Sequence, residues 1–317
     1  MASKRSPILG SIVGTLVLMS AVAQAQLPQA PPPPPPGLAP APAPLPPVRT
    51  PYFTSLTNLE VERYLQYNDL IFVPIGNAQS HGVLPVDCEY VAAEAIALKM
   101  AEETNALVFP YLQFTYAGDG IIGRGTVHVS PAEGLAYLKP LARSLLRQGF
   151  KRQIYITAGN NAAPQTVSPL VLEFFYETKT PALYIEADVL LHQVSADLTK
   201  VMFGAYSILN RLNDIPVNFT PDVPKHDIDQ GLAKLRLLNS SGGARDGVVG
   251  FFMFEDDAGA PVKPVTAEQR VTWAKEGAAM IDAAVKRADM KKVVQSLLDH
   301  QRFTREYLIP KFDLLVR

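Results

Sequence analysis

Between Gly76 and Tyr90 the chain reads G-N-A-Q-S-H-G-V-L-P-V-D-C-E-Y, which gathers Gln79, His81, Asp87, Cys88 and Glu89 in one short stretch. His81 and Glu89 could both ligate a metal ion, imidazole suiting zinc and a carboxylate suiting zinc, manganese or magnesium. His81 could equally be a hydrogen-bonded loop residue with no ligand at all. Cys88 is the one cysteine of the chain, which excludes an internal disulfide and any Cys-rich zinc or iron–sulfur site. It could act as a nucleophile with His81 as its base, or simply pack as a small apolar residue.

The elements that must position these residues alternate strand and helix. Leu70 to Gly76 is a continuous apolar run of strand length, suited to a sheet covered on both faces. The loop then leads into a helical pattern carrying Val91, Ala92, Ala95, Ile96, Leu98 and Met100, and Ala106 to Phe109 reads as the next strand. Ser130-Pro131-Ala132-Glu133 marks a helix start, with a hydroxyl cap, proline at the first position and a carboxylate placed to reach back. That helix should end at Gly149, followed by a strand over 153–157, a short helix over 169–176 and a strand over 182–185. Thr266-Ala267-Glu268-Gln269 is a second capping box, opening a helix with Val271, Trp273, Ala274, Ala278, Ile281 and Val285 on its apolar stripe. Repeated strand–helix–strand order predicts an α/β fold, with a mostly parallel central sheet and helices on both faces. In such sheets ligands gather beyond the carboxyl ends of the strands, where the His81 loop lies.

The chain has 317 residues, 48% of them hydrophobic and 19% charged, enough apolar surface for a sizeable core. Twenty-nine basic against 30 acidic residues, with no basic run, exclude an ordinary nucleic-acid binder. Residues 1–25 show a basic start at Lys4 and Arg5, an apolar stretch from Ile8 to Met19 and the small-residue ending Ala23-Gln24-Ala25. This is the pattern of a secretory signal peptide cut before Gln26, and the apolar run is short for a membrane span of about 20 residues. Residues 26–51 form a Pro-rich linker, in which 13 of the 28 prolines lie between Pro28 and Pro51. Locked φ angles and missing N–H donors favour an extended spacer there, either passive or a ligand for a Pro-binding module. The rest, 52–317, reads as one α/β domain, with 207–246 an irregular insertion. The expected location is the periplasm or the exterior, with no transmembrane anchor once the signal is removed.

The stretch Gly76 to Gly82, with Leu84-Pro85 and Cys88-Glu89 in register, resembles the G-S-T-E-Q-H-G and L-P-x-x-T-D motifs of the creatininase (creatinine amidohydrolase) family. Gly123 to Pro131 is similar to its G-x-x-G-T-I-x-L-S-P stretch, and Gly149-Phe150-Lys151-Arg152 to its G-F-R-R. Gly247-Val248-Val249-Gly250, with Ala267, Gly277 and Ala278, is similar to its G-V-x-G and C-terminal helix.

The resemblance implies the creatininase fold and a dinuclear zinc or manganese site that activates water against an amide, often a cyclic one. Carried over residue by residue, His81 matches the family histidine and Glu89 the family aspartate, whereas Gln79 stands where the family has glutamate. Gly159, followed by Asn160 and Asn161, falls where N-G-H-G-G-N has its histidine; His192 to Thr199 aligns with H-A-G-E-x-E-T-S, so that Ser195 and Asp197 replace two glutamates. The implied shell is His81, Glu89 and Asp197, with His128 or His192 as further donors. It would hold one zinc or manganese ion, or none, so the resemblance leaves two functions open. One is a binding or scaffold protein with an eroded two-metal site, and the other a divergent amidohydrolase with a single metal. A small amide-containing ligand and a homo-oligomer are the partners it implies.

Export gives the first test. The intact mass of mature protein recovered outside the cytoplasm is expected to begin at Gln26, and retention of residues 1–25 would contradict the signal-peptide reading.

Overall fold

A computed structural model describes residues 48–110, 125–159, 163–220 and 263–312. The signal peptide, most of the Pro-rich linker, Gly123, Arg124, Asn160, Asn161, residues 221–246 of the expected insertion and Gly247 to Gly250 lie outside the described residues.

The chain enters through helix α1 (Asn58–Leu65), started by a capping box between Thr57 and Glu60, and passes into strand β1 (Leu70–Pro74). Helix α2 (Cys88–Thr104) ends at Asn105 in the left-handed region, and the two-residue strand β2 (Leu107–Val108) follows. Helix α3 (Pro131–Gln148) has the expected Ser130–Glu133 capping box and a left-handed Gly149 at its end. Strand β3 (Arg152–Thr157) leads to helix α4 (Pro164–Thr178), which starts earlier than the proline at 169 suggests. Pro164 occupies its first turn, where a missing N–H costs nothing, and Pro169 lies inside the helix.

Strand β4 (Leu183–Glu186) then runs into helix α5 (Ala187–Gln193) and helix α6 (Leu198–Ile208). Helix α7 (Ala267–Ala288) opens with the Thr266–Gln269 capping box, and helix α8 (Met290–Phe303) continues into a π-type turn and a last helical turn, Ile309–Phe312. None of the described helices is long and apolar enough to cross a membrane.

The four strands are all parallel, in the order β2-β1-β3-β4, with Phe72 opposite both Val108 and Ile154, and Tyr155 opposite Tyr184. Every residue of β1 is buried, as its unbroken apolar run requires. Its side chains divide between two cores. Leu70, Phe72, Ile154 and Ile156 meet α2, α6, α7 and α8 on one face, while Ile71, Val73 and Tyr155 meet α1, α3 and α4 on the other. The sheet therefore carries helices on both faces, as expected.

Because β1 leads outward to β2 and β3 leads the opposite way to β4, the strand order reverses between β1 and β3. That crevice is where open α/β sheets bind ligands.

One polar residue fixes the start of β3. Gln153 is wholly buried; its Nε2 donates to the Ala142 and Phe150 carbonyls at 2.9 and 3.1 Å, and its Oε1 accepts from the Tyr155 hydroxyl at 2.6 Å. Gln153→Leu keeps the bulk but strips Tyr155 of its acceptor, so urea denaturation should show a loss of about 1–3 kcal/mol.

Candidate functional site

The loop between β1 and α2 is held largely by its own backbone. Gln79 N–H donates to the Val86 carbonyl at 2.8 Å, Leu84 N–H to His81 at 3.0 Å and Cys88 N–H to Pro85 at 3.1 Å. The 125–128 segment braces it from outside: Val127 N–H donates to the Ala78 carbonyl at 2.9 Å, and Ser80 N–H to Thr126 Oγ1 at 3.2 Å. This frame folds His81 back over the first turn of α2, where Nε2 donates to Glu89 Oε1 at 2.9 Å. The His81 side chain is 15% exposed and that of Glu89 is 3% exposed. Cys88 is fully buried beside them.

Burial is the largest influence on all three groups. It would lower the His81 pKa, but Cys88 and Glu89 packed against the imidazole outweigh it and hold the value up at about 11. Burial pushes the Glu89 carboxyl up against the opposing pull of His81, and it pushes the Cys88 thiol up as well. His81 and Glu89 thus form one coupled acid–base unit sharing a proton across their contact. Burial thus works against the thiolate, the nucleophilic form of Cys88, while His81 pulls the other way.

Two buried acceptors in this region have no hydrogen-bond partner, Glu89 Oε2 and Asn77 Oδ1. The Asn77 amide donates to Gln79 Oε1 at 3.2 Å, so the side chain standing in the family's glutamate position is tied up as a neutral acceptor.

Across the crevice, Gly159 follows β3 with φ +75°, and its N–H donates to both carboxylate oxygens of Asp188 at 3.0 Å. Asp188 lies in the first turn of α5, and its charge acts on Glu89. A Cβ built at Gly159 would fall 2.5 Å from Met202 Cε and 3.5 Å from Glu89 Cγ. The methionine methyl from α6 therefore occupies the space that a side chain at 159 would need.

His81, Cys88, Glu89 and Gly159 are brought together, with Gln79 in the same loop. Asp197 is used otherwise: it is the N-cap of α6, exposed, accepting from Lys200 N–H at 3.2 Å. His192 is exposed in the last turn of α5, and His128 is exposed in the bracing segment. Among the described residues, no three His, Cys, Asp or Glu side chains gather so that they could hold a metal ion. The sequence reading did not single out Asp188 and Met202. The first follows a strand directly, which is a usable signal, whereas nothing in the sequence marks the second.

Gly159→Ala should cost about 1–2 kcal/mol, set by the left-handed φ, because Met202 Cε is the end of a flexible side chain that can swing aside. In a Met202→Ala background the same change should cost nearly as much, and a denaturation cycle over the four proteins should show a coupling below about 1 kcal/mol.

Residues 54–199 match the family model Creatininase, described as creatinine amidohydrolase. The curated 3-dehydro-scyllo-inosose hydrolase of Thermotoga maritima is 26% identical over 137 residues, which make up 42% of this chain and 43% of that protein, so the match spans less than half of the relative's length. Among solved structures, a type II creatininase carrying a tryptophan-to-phenylalanine substitution aligns with TM-score 0.51 and 16% identity, covering 78% of this chain and 99% of its own. Other solved creatininases include a zinc–zinc form and a manganese form, at TM-scores of 0.48 and 0.46, with 17% identity and 76% and 75% of this chain covered. Residues 54–199, then, match the creatininase family model, and the described part of the chain carries a creatininase-like fold.

Proposed function

We propose that this is an exported creatininase-family protein whose ancestral two-metal hydrolytic site has been remodelled into a site that binds a small amide-type ligand or serves as a scaffold. The observation that carries the reading is Met202 Cε, 2.5 Å from the place where a side chain at 159 would begin. The resemblance puts a histidine ligand at that position, and here there is no side chain and the end of the flexible Met202 side chain packs in its place. Gln79 adds to this: a neutral amide bonded to Asn77 lacks the charge that a pair of cations favours. The described residues do not fit a two-metal centre. Asp197, the third member of the expected shell, is committed to a helix cap.

A second reading has its own observation. Glu89 Oε2 is a buried acceptor without a partner, beside a histidine 2.9 Å from the other carboxylate oxygen. His81 and Glu89 would be the donors to a single zinc or manganese ion, which could lower the pKa of a bound water toward about 7. The described residues supply two donors where a catalytic zinc takes three from the protein, so the binding or scaffold role is preferred.

Metal analysis separates the two. Full-length mature protein, loaded with zinc or manganese and dialysed, should retain well under one equivalent per chain. Two tightly held equivalents would sink the remodelled-site proposal. One equivalent that disappears in His81→Ala, together with hydrolysis of a cyclic amide, would establish the second reading instead.

A further inference from the structure

Asp87 sits at the N-cap position of α2, where an aspartate ordinarily accepts from the helix's first free N–H groups. Here it makes no such bond. Its carboxylate is turned away to two residues at the far end of α6 and just beyond it. The Tyr206 hydroxyl donates to Oδ1 in a short hydrogen bond, and Arg211 Nη1 donates to Oδ2 at 2.9 Å. These two partners are themselves locked together. The Arg211 guanidinium lies over the Tyr206 ring, 5.3 Å from its centroid, Arg211 N–H donates to the Tyr206 carbonyl at 2.7 Å, and Arg211 Nε donates to Asp214 at 2.7 Å. Tyr206 is fully buried. A helix has thus given up its cap so that its first residue can be gripped from another part of the chain, and the residues next after the gripped one are Cys88 and Glu89.

We propose that Asp87, Tyr206 and Arg211 are positioning residues of the site, a clamp by which α6 fixes the first turn of α2 and so holds Glu89 against His81. This rests on the reading of the crevice around His81 and Glu89 as the site. Hydrogen bonds to an ionised carboxylate are among the stronger ones, and two of them on one side chain set both the rotation and the height of the turn. The loop's own backbone bonds tie Gln79 to Val86 and Cys88 to Pro85, but they do not anchor the α2 turn to the helices on its face of the sheet. The clamp does.

The single cysteine makes this measurable, because Cys88 is wholly buried inside the clamped turn. In the native full-length chain, Tyr206→Phe should speed modification of Cys88 by an aromatic disulfide reagent about ten- to a hundred-fold, matching the loss of one hydrogen bond to a charged group. Arg211→Gln, a change at a half-exposed side chain, should act in the same direction. Leu138→Ala, a cavity in the core on the opposite face of the sheet, lowers global stability and should leave the labelling rate under native conditions unchanged. A second readout bears on the site itself: the hydrogen-bonded His81 Nε2–H proton resonance should be lost to exchange in Tyr206→Phe and kept in Leu138→Ala. The proposal is overturned if Tyr206→Phe and Arg211→Gln label at the unaltered rate, if Leu138→Ala speeds labelling equally, or if the His81 resonance survives in Tyr206→Phe. Neither readout involves a metal or ligand, so the clamp stands or falls separately from the metal measurements.

Discussion

The contact on which the site depends is the one between the end of β1 and the first turn of α2. A Cβ at Gly76 would lie 2.5 Å from the Tyr90 Cα, closer than any side chain tolerates. Strand and helix therefore touch backbone to backbone. With the ends of the intervening segment pinned this near one another, residues 77–87 can only loop out beyond the carboxyl end of β1 and return, and the return places Glu89 beneath the loop's own His81. A larger residue at 76 would push the turn outward and lengthen that 2.9 Å contact. A single close approach in the fold thus sets a hydrogen bond in the site.

Burying that pair poses an electrostatic problem, which the loop solves locally. A carboxylate nearly removed from water is costly unless it is paired, and His81 supplies the pairing. In a two-metal hydrolase the corresponding charge would be balanced by cations, with further anionic or imidazole ligands around them. Here Gln79 contributes no charge, Gly159 contributes no side chain, and Asp188 is engaged by a backbone N–H. A neutral amide at 79 adds no further negative charge beside Glu89, which limits the cost that His81 must offset.

Much of this was legible in the residues. The Ser130–Glu133 and Thr266–Gln269 capping boxes announce helices because two orphan N–H groups are satisfied by residues three apart in sequence. The apolar run of β1 announces a strand buried on both faces, and His81 with Glu89 stood out by type and spacing. The early start of α4 was missed because Pro169 looks like a first-turn proline, while Pro164 fills that role five residues sooner. Asp197 looked like a ligand in the family register. Its place three residues before Lys200 is also that of an ordinary N-cap, and the local bond won. Met202 and Tyr206 could not be read at all, since their importance comes from α6 crossing over the site, which no local pattern encodes.

Two α6 residues link the two ends of the crevice. Met202 and Tyr206 are four apart and so share a face of the helix; one fills the space beside Gly159 and the other grips Asp87. A side chain at 159 needs the end of Met202 to swing aside, whereas any shift of α6 itself would carry Tyr206 away from Asp87 and loosen the turn that bears Glu89. Replacing Met202 alone would leave a void against a backbone held at φ +75°, a conformation that still disfavours every residue except glycine. Filling at one end of the crevice and clamping at the other are therefore coupled through one rigid helix. A side chain at 159 would need a tolerated left-handed backbone and a rearranged Met202, with the contact at 206 kept.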